Sequence, residues 1–209
     1  MNTKGYFIEP PVLTRDFPSH VQWSAGNSIL SPPECDALIA RAEKAGFQPA
    51  AIGSNEKFRV DPAYRQTLTS MVEFAPDVDW LYRRVTERVA AANREYYGFD
   101  LSGLLEPFQL LKYVAAETEE QQPGHYDWHQ DFGSGTMGRR KVSVVINLSD
   151  PADYDGCRLT LMSHNAQEMG YRGKGEGFMF PSWAPHMVSN ITRGTRYALV
   201  AWVHGHPYR

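Results

Sequence analysis

Val142-Ser143-Val144-Val145-Ile146 and Ala198-Leu199-Val200-Ala201-Trp202-Val203 are the two stretches on which the fold turns. Both are rich in β-branched and apolar residues with scarcely a polar interruption, the composition of strands covered on both faces. The residues after Gly98 keep this character, with short apolar runs broken by turn-formers. Strands are expected near 107–115, 140–148, 156–163, 177–181, 185–191 and 195–204. Before Gly98 the period is helical. Ser31-Pro32-Pro33-Glu34 reads as a helix start, with a serine cap, prolines where a backbone N–H would be unpaired anyway, and a glutamate that completes a capping box. Cys35, Leu38, Ile39 and Ala42 follow at helical spacing and Gly46 closes the helix in a position that favours a left-handed conformation. A second helix is expected from about Asp77 to Tyr97, with Leu81, Val85, Val89 and Ala92 as its apolar stripe, arginines on the solvated side and Gly98 as its stop. Helices first and strands after imply an α+β, mainly β arrangement in which helices buttress a sheet or barrel.

A chain of 209 residues is most simply one domain: an N-terminal arm, helices and a lid in 1–105, and the strand-rich core in 106–209. Gly 17 and Pro 14 favour a many-turned fold over a helical bundle. The net charge of −3 and pI near 6.2 give no basic field for nucleic acid or an anionic membrane, and Arg139-Arg140-Lys141 is too short to supply one. Met1 to Glu9 shows no basic segment followed by an apolar run, and no apolar stretch approaches the roughly 20 residues that span a bilayer. Cys35 and Cys157 do not make a disulfide framework; they read as buried structural thiols, and a reducing cytoplasm is the expected compartment. Oligomeric state is left open.

The chemistry concentrates in Gly124-His125-Tyr126-Asp127-Trp128-His129-Gln130-Asp131, which holds two His-x-Asp units. Residues two apart on an extended strand share a face, so an imidazole and a carboxylate in this register can meet one metal ion. A third ligand from a distant strand would leave the opposite side of the metal open, as a non-haem iron(II) oxygenase requires. The segment Phe180-Pro181-Ser182-Trp183-Ala184-Pro185-His186 offers that third ligand. Gly194-Thr195-Arg196-Tyr197 then enters the next strand with an arginine ten positions after His186. A 2-oxo acid chelating the metal needs such a cation for its far carboxylate, and arginine's planar fork can bond it bidentately without losing charge.

From about Leu110 to Gly205 the chain resembles the catalytic core of the prolyl-4-hydroxylase-like group of iron(II)/2-oxoglutarate dioxygenases. The matching residues are Leu111-Lys112-Tyr113, Gly124 to Asp131, Arg140-Lys141-Val142-Ser143 with Asn147, Tyr154-Asp155-Gly156, Phe180-Pro181-Ser182 with His186, and Gly194-Thr195-Arg196-Tyr197. The resemblance implies a double-stranded β-helix (jelly-roll) with supporting N-terminal helices. It selects His129 over His125, so that His129, Asp131 and His186 hold the metal. It also implies that Arg196 binds the C5 carboxylate of 2-oxoglutarate, that Tyr113 and Asn147 reach the co-substrate, and that Tyr126 lines the site. Where paired glycines are usual after Tyr154, this chain has Gly156-Cys157 and then Arg158, a departure that points to something specific to the substrate.

The implied cofactors are Fe(II), 2-oxoglutarate and O2, and the implied reaction is hydroxylation of an unactivated C–H bond. Asp131 speaks against halogenation, in which a small residue replaces the carboxylate. A substrate of amino-acid or related small-molecule type is expected. The alternatives are a peptidyl (prolyl-type) hydroxylase and a cupin-like metal enzyme that uses no 2-oxo acid. Between the helices, residues 50–70 read as a lid, with Arg59 or Arg65 meeting a substrate carboxylate because the core shows no spare cation beyond Arg196. His164, His204 and His206 read as loop or terminal histidines, and His20 lies in the arm.

Overall fold

The computed structural model describes residues 22–23, 28–54, 57–162, 166–169 and 173–206. Most of the expected arm, with His20, and also His164 lie outside the described residues. The chain begins with β1 (Gln22–Trp23), α1 (Pro32–Ala45), β2 (Gln48–Pro49), β3 (Ile52–Ser54), β4 (Lys57–Arg59), β5 (Arg65–Gln66) and β6 (Leu68–Val72). After α2 (Asp79–Ala92) come β7 (Leu101–Leu104), β8 (Phe108–Val114), β9 (His125–His129), β10 (Arg140–Asn147) and β11 (Tyr154–Gly156). The chain continues through β12 (Leu159–Met162), β13 (Ala166–Glu168), β14 (Gly177–Pro181), β15 (His186–Val188) and β16 (Ile191–Gly205).

Two antiparallel sheets face each other as a jelly roll. The larger runs β1-β14-β10-β16-β8-β6-β2, with β7 and β11 also pairing with β16; the smaller runs β13-β12-β15-β9-β5. On β10 and β16 the alternation that a doubly covered strand conceals becomes visible. Val142, Val144, Ile146, Leu199, Ala201 and Val203 pack against the helices, while Val200 and Trp202 belong to the core between the sheets. Leu81, Val85 and Val89 of α2 are fully buried against the first of these faces, each worth about 1.5–3 kcal/mol of apolar burial.

The start of α1 follows the capping-box reading. Glu34 accepts from the Ser31 backbone N–H at 2.8 Å, and Arg84 from α2 reaches the same carboxylate at 2.6 Å, tying the two helices together. Gly46 has φ 90° and ψ 159°, a positive-φ conformation outside the left-handed helical well that was expected of it. The second helix is compound: a 3₁₀ turn at Pro76–Val78, α2, and a π turn at Asn93–Tyr97 that ends at Gly98 with φ 65°. No helix among the described residues is long and apolar enough to cross a membrane.

The expected lid is only in small part a loop. β5 adds to the smaller sheet beside β9, and two residues later β6 adds to the larger sheet beside β8, so the segment strides from one sheet to the other. Only the β3–β4 hairpin stands apart from both sheets. The expected strand at 156–163 is broken at Cys157-Arg158. Gly156 has φ +74°, and a Cβ there would meet the Asn190 carbonyl oxygen at 2.3 Å, so the chain turns where only glycine fits.

Candidate active site

Pairing of β15 with β9 sets His186 directly opposite His129. Asp131 lies just past the end of β9, where its backbone N–H donates to the Ser182 carbonyl at 3.0 Å. The three side chains converge: ligand atoms of His129, Asp131 and His186 all lie within 4.8 Å of one another. His129 Nε2 is 3.9 Å from Asp131 Oδ1, and His186 Nε2 is 3.6 Å from Asp131 Oδ2.

The histidine tautomers suit a metal. His129 Nδ1 lies 2.7 Å from the Asp127 carbonyl and His186 Nδ1 2.9 Å from the Ala184 carbonyl. A carbonyl only accepts, so each Nδ1 carries the proton and each Nε2 lone pair is free toward Asp131. Burial, reinforced by the neighbouring His186, pushes His129 down to about 3, so its imidazole is neutral at ordinary pH. Burial works against the Asp131 charge, and the Ser143 hydroxyl, donating at 2.6 Å, works for it. Two imidazole nitrogens and one carboxylate oxygen on one side of a cleft are a donor set that fits Fe(II) with open positions.

The larger sheet supplies the other wall. Arg196, Ala198, Val200 and Trp202 of β16 and Gln109, Leu111 and Tyr113 of β8 line the cleft at every second position. Arg196 and Tyr113 are cross-strand partners. Arg196 is buried and has no carboxylate partner among the described residues. Its Nε donates to Asn147 Oδ1 at 3.3 Å and its Nη1 to Cys157 Sγ at 3.7 Å. Burial pushes the Tyr113 phenol up to about 12, so it remains a neutral donor.

Tyr126 lines the cleft and stacks on His129, with ring centroids 3.4 Å apart and planes at 15°. Arg65 also lies over the Tyr126 ring, at 4.4 Å from its centre, and lines the cleft. Arg59 does not reach it: the side chain is exposed and paired with Asp61 at 3.1 Å. Asn147 does not line the cleft either; its amide oxygen accepts from Arg196 Nε and from the Tyr154 hydroxyl. His125 is turned away, its ring at the Pro123 and Ala63 carbonyls. Arg158 lies off the cleft lining, and the residue of that segment that touches Arg196 is Cys157.

The core holds a further cation in the cleft, Arg140, stacked over Trp202 at 3.7 Å and donating to the Asp131 carbonyl at 3.2 Å, but it is not a spare one. Its charge is matched by Glu106, which accepts from Arg140 Nε at 2.8 Å and meets Nη2 as well. His204, expected in a loop, is fully buried on β16; it accepts from the Leu105 N–H at Nδ1 and donates from Nε2 to Glu106 at 2.8 Å. Glu106 was not singled out in the sequence, and Ser143 stood there only within the matched stretch, with no role of its own. Ser143 had one visible signal, a lone hydroxyl within an apolar strand.

Residues 108–204 match the family described as the 2OG-Fe(II) oxygenase superfamily. A PKHD-type hydroxylase of Synechococcus sp. (strain JA-2-3B'a(2-13)) is 37% identical over 175 residues, 84% of this chain and 75% of that protein. A PKHD-type hydroxylase of Idiomarina loihiensis is 30% identical over 49% of this chain and 48% of its own length, so some relatives are matched over only about half their span. Among solved structures, a prolyl hydroxylase from Trichoplax adhaerens, in complex with a hypoxia inducible factor peptide fragment, superposes with TM-score 0.68 at 16% identity, covering 87% of this chain and 83% of that one. A Pseudomonas putida prolyl-4-hydroxylase gives 0.65 at 19%, covering 88% and 92%. The cupin-like reading, without a 2-oxo acid, is thereby set aside: the chain belongs to the 2OG-Fe(II) oxygenase superfamily and is a dioxygenase of the hydroxylase kind, using Fe(II), 2-oxoglutarate and O2.

Proposed function

We propose that His129, Asp131 and His186 hold the Fe(II), that Arg196 and Tyr113 bind the far carboxylate of 2-oxoglutarate, and that the enzyme hydroxylates an amino acid or related small molecule. One juxtaposition carries this reading: a two-histidine, one-carboxylate cluster on the smaller sheet, facing a buried arginine without a counter-ion on the larger. The iron, with its co-substrate and O2, supplies the oxidising power for C–H hydroxylation.

The chain's own residues prepare that chemistry. The Asp127 and Ala184 carbonyls fix both imidazoles in the metal-binding tautomer, and Ser143 holds one oxygen of Asp131. Asn147 and Cys157 orient the Arg196 fork, and Tyr113 beside it offers a hydroxyl whose burial keeps it protonated. Leu111, Val145, Leu159, Val188 and Val200 give the cleft an apolar lining that excludes water from the reacting centre.

The test is anaerobic Fe(II) binding, followed by conversion of 2-oxoglutarate to succinate and a screen for +16 Da products across free amino acids and peptides. Products confined to free small molecules support the reading. Peptide products alone, the outcome suggested by the names of the prolyl hydroxylases above, would replace its substrate half. Undiminished Fe(II) binding after loss of all three ligand side chains would sink the metal assignment.

A further inference from the structure

Arg65 is a buried cation with almost nothing to do. The residue is 8% exposed, yet its one hydrogen bond among the described residues runs from Nη1 to the Ala51 carbonyl at 3.2 Å. Nε is buried with no partner at all. No carboxylate lies within ion-pair distance among the described residues, although burying a charge without one costs several kcal/mol. The guanidinium carbon lies 4.4 Å from the Tyr126 ring centre, and the Nε–H, Nη2–H edge has no partner among the described residues. That edge is the geometry that takes a carboxylate through two parallel hydrogen bonds.

Charge balance says whose carboxylate it is. This step rests on the function proposed above. A divalent metal and Arg196 together offset the two carboxylates of 2-oxoglutarate and that of Asp131, and Glu106 offsets Arg140 inside its own ion pair. His129 is neutral. Arg65 is left as the one uncompensated charge among the cleft residues discussed. It sits on the smaller sheet, beside the Tyr126 ring that stacks on His129, and Ile52, Gly53 and Phe58 of the β3–β4 hairpin border the same cleft.

We propose that Arg65 is a specificity-determining residue that binds a free carboxylate of the prime substrate. The enzyme then acts on small carboxylic acids, amino acids among them, and discriminates against the same group locked in an amide or a peptide bond. The Arg65 fork sets the distance from substrate carboxylate to metal and so selects which carbon is presented.

The experiment uses the full chain loaded with Mn(II) and 2-oxoglutarate, so that binding is read without turnover. The common L-amino acids are titrated calorimetrically as free acids, as carboxamides, and as the central residue of blocked tripeptides. The expected result is that the best ligands are free acids, their amides binding at least about tenfold more weakly, the loss of one charge-assisted pair. Arg65→Met brings the acid-to-amide ratio close to one, and Arg65→Lys, which keeps the charge without the fork, restores part of it. Amides or tripeptides binding as well as acids, no member of the panel binding, or an unchanged preference in Arg65→Met each overturns the proposal. Loss of 2-oxoglutarate affinity in Arg65→Met also overturns it, because the arginine then serves the co-substrate. Failure of wild type to bind 2-oxoglutarate would instead sink the site assignment, and this proposal with it.

Discussion

Three buried arginines meet in one cleft and differ in what neutralises them. Arg140 is paired with Glu106, Arg196 has a carboxamide and a thiol, and Arg65 has a carbonyl and a ring. Uncharged partners orient a guanidinium but do not repay its desolvation, so the ligand that does repay it binds with the difference. Arg196→Leu is therefore expected to weaken 2-oxoglutarate by more than tenfold, about 2–5 kcal/mol for a desolvated charge pair, with metal affinity nearly intact. Asn147→Ala acts in the same direction by about 1 kcal/mol, the worth of one hydrogen bond that only orients the fork. Calorimetric titration of 2-oxoglutarate into Mn(II)-loaded variants reads both, and an unchanged affinity in Arg196→Leu removes its assignment. The duplicated His-x-Asp gives a second residue-scale test. His129→Ala, Asp131→Ala and His186→Ala are each expected to lose Fe(II) and turnover, while His125→Ala, whose ring is held by two backbone carbonyls away from the cluster, keeps both. Iron retained by His129→Ala and lost by His125→Ala would place the metal four residues upstream.

At the scale of elements, β-bulges decide what the sequence could show. Strict alternation along β9 would put His125, Asp127 and His129 on one face. Opposite His186–Val188, however, β9 uses one more residue than its partner, so Tyr126 and His129 come to the same side and stack. A second irregularity between Arg140 and Val142 sets Arg140 opposite His204, where simple parity along β10 would not group it with Ser143 and Val145. That is why Arg140 read as part of a basic cluster and His204 as a terminal loop. β10 and β16 were legible because strands buried on both faces declare themselves by composition. β5 and β6 were not, being short, with Thr69 and Ser70 in the second and polar flanks around both. The Glu106–Arg140–His204 network carries an element-scale prediction, since it ties the β7–β8 connection to β10 and β16. Burial alone would raise Glu106, but hydrogen bonds from His204 and Arg140 more than offset it and hold the carboxyl down at about 2. With an ordinary value of 4.5 in the unfolded chain, its contribution is fully present above pH 4.5 and is lost as pH falls toward 2, about 3 kcal/mol in all. Glu106→Gln should lower stability at neutral pH and flatten the decline between those limits, as measured by urea unfolding at a series of pH values. A parallel decline in wild type and variant would show that the network does not stabilise the fold.

At the scale of the molecule, the candidate metal ligands all sit on the smaller sheet or at its edge, and the candidate co-substrate anchor sits on the larger. A 2-oxo acid chelated at one end and held at Arg196 by the other spans the two sheets, and a ligand that binds only the folded chain stabilises it in proportion to its occupancy. Metal alone should raise the melting temperature by organising β9 and β15. Adding 2-oxoglutarate at about a hundred times its dissociation constant should contribute about 2.7 kcal/mol more, or roughly 5–10 °C for a domain of this size. The second increment requires the first, because chelation needs the ion, so 2-oxoglutarate without metal is expected to shift the transition little. Arg196→Leu keeps the metal increment and loses most of the other, whereas Asp131→Ala loses both. Differential scanning calorimetry with and without Mn(II), each with and without the co-substrate, measures all four states without catalysis. Equal and independent increments from metal and 2-oxoglutarate would mean that the two bind at separate places, and the arrangement of one site shared between two sheets would fall.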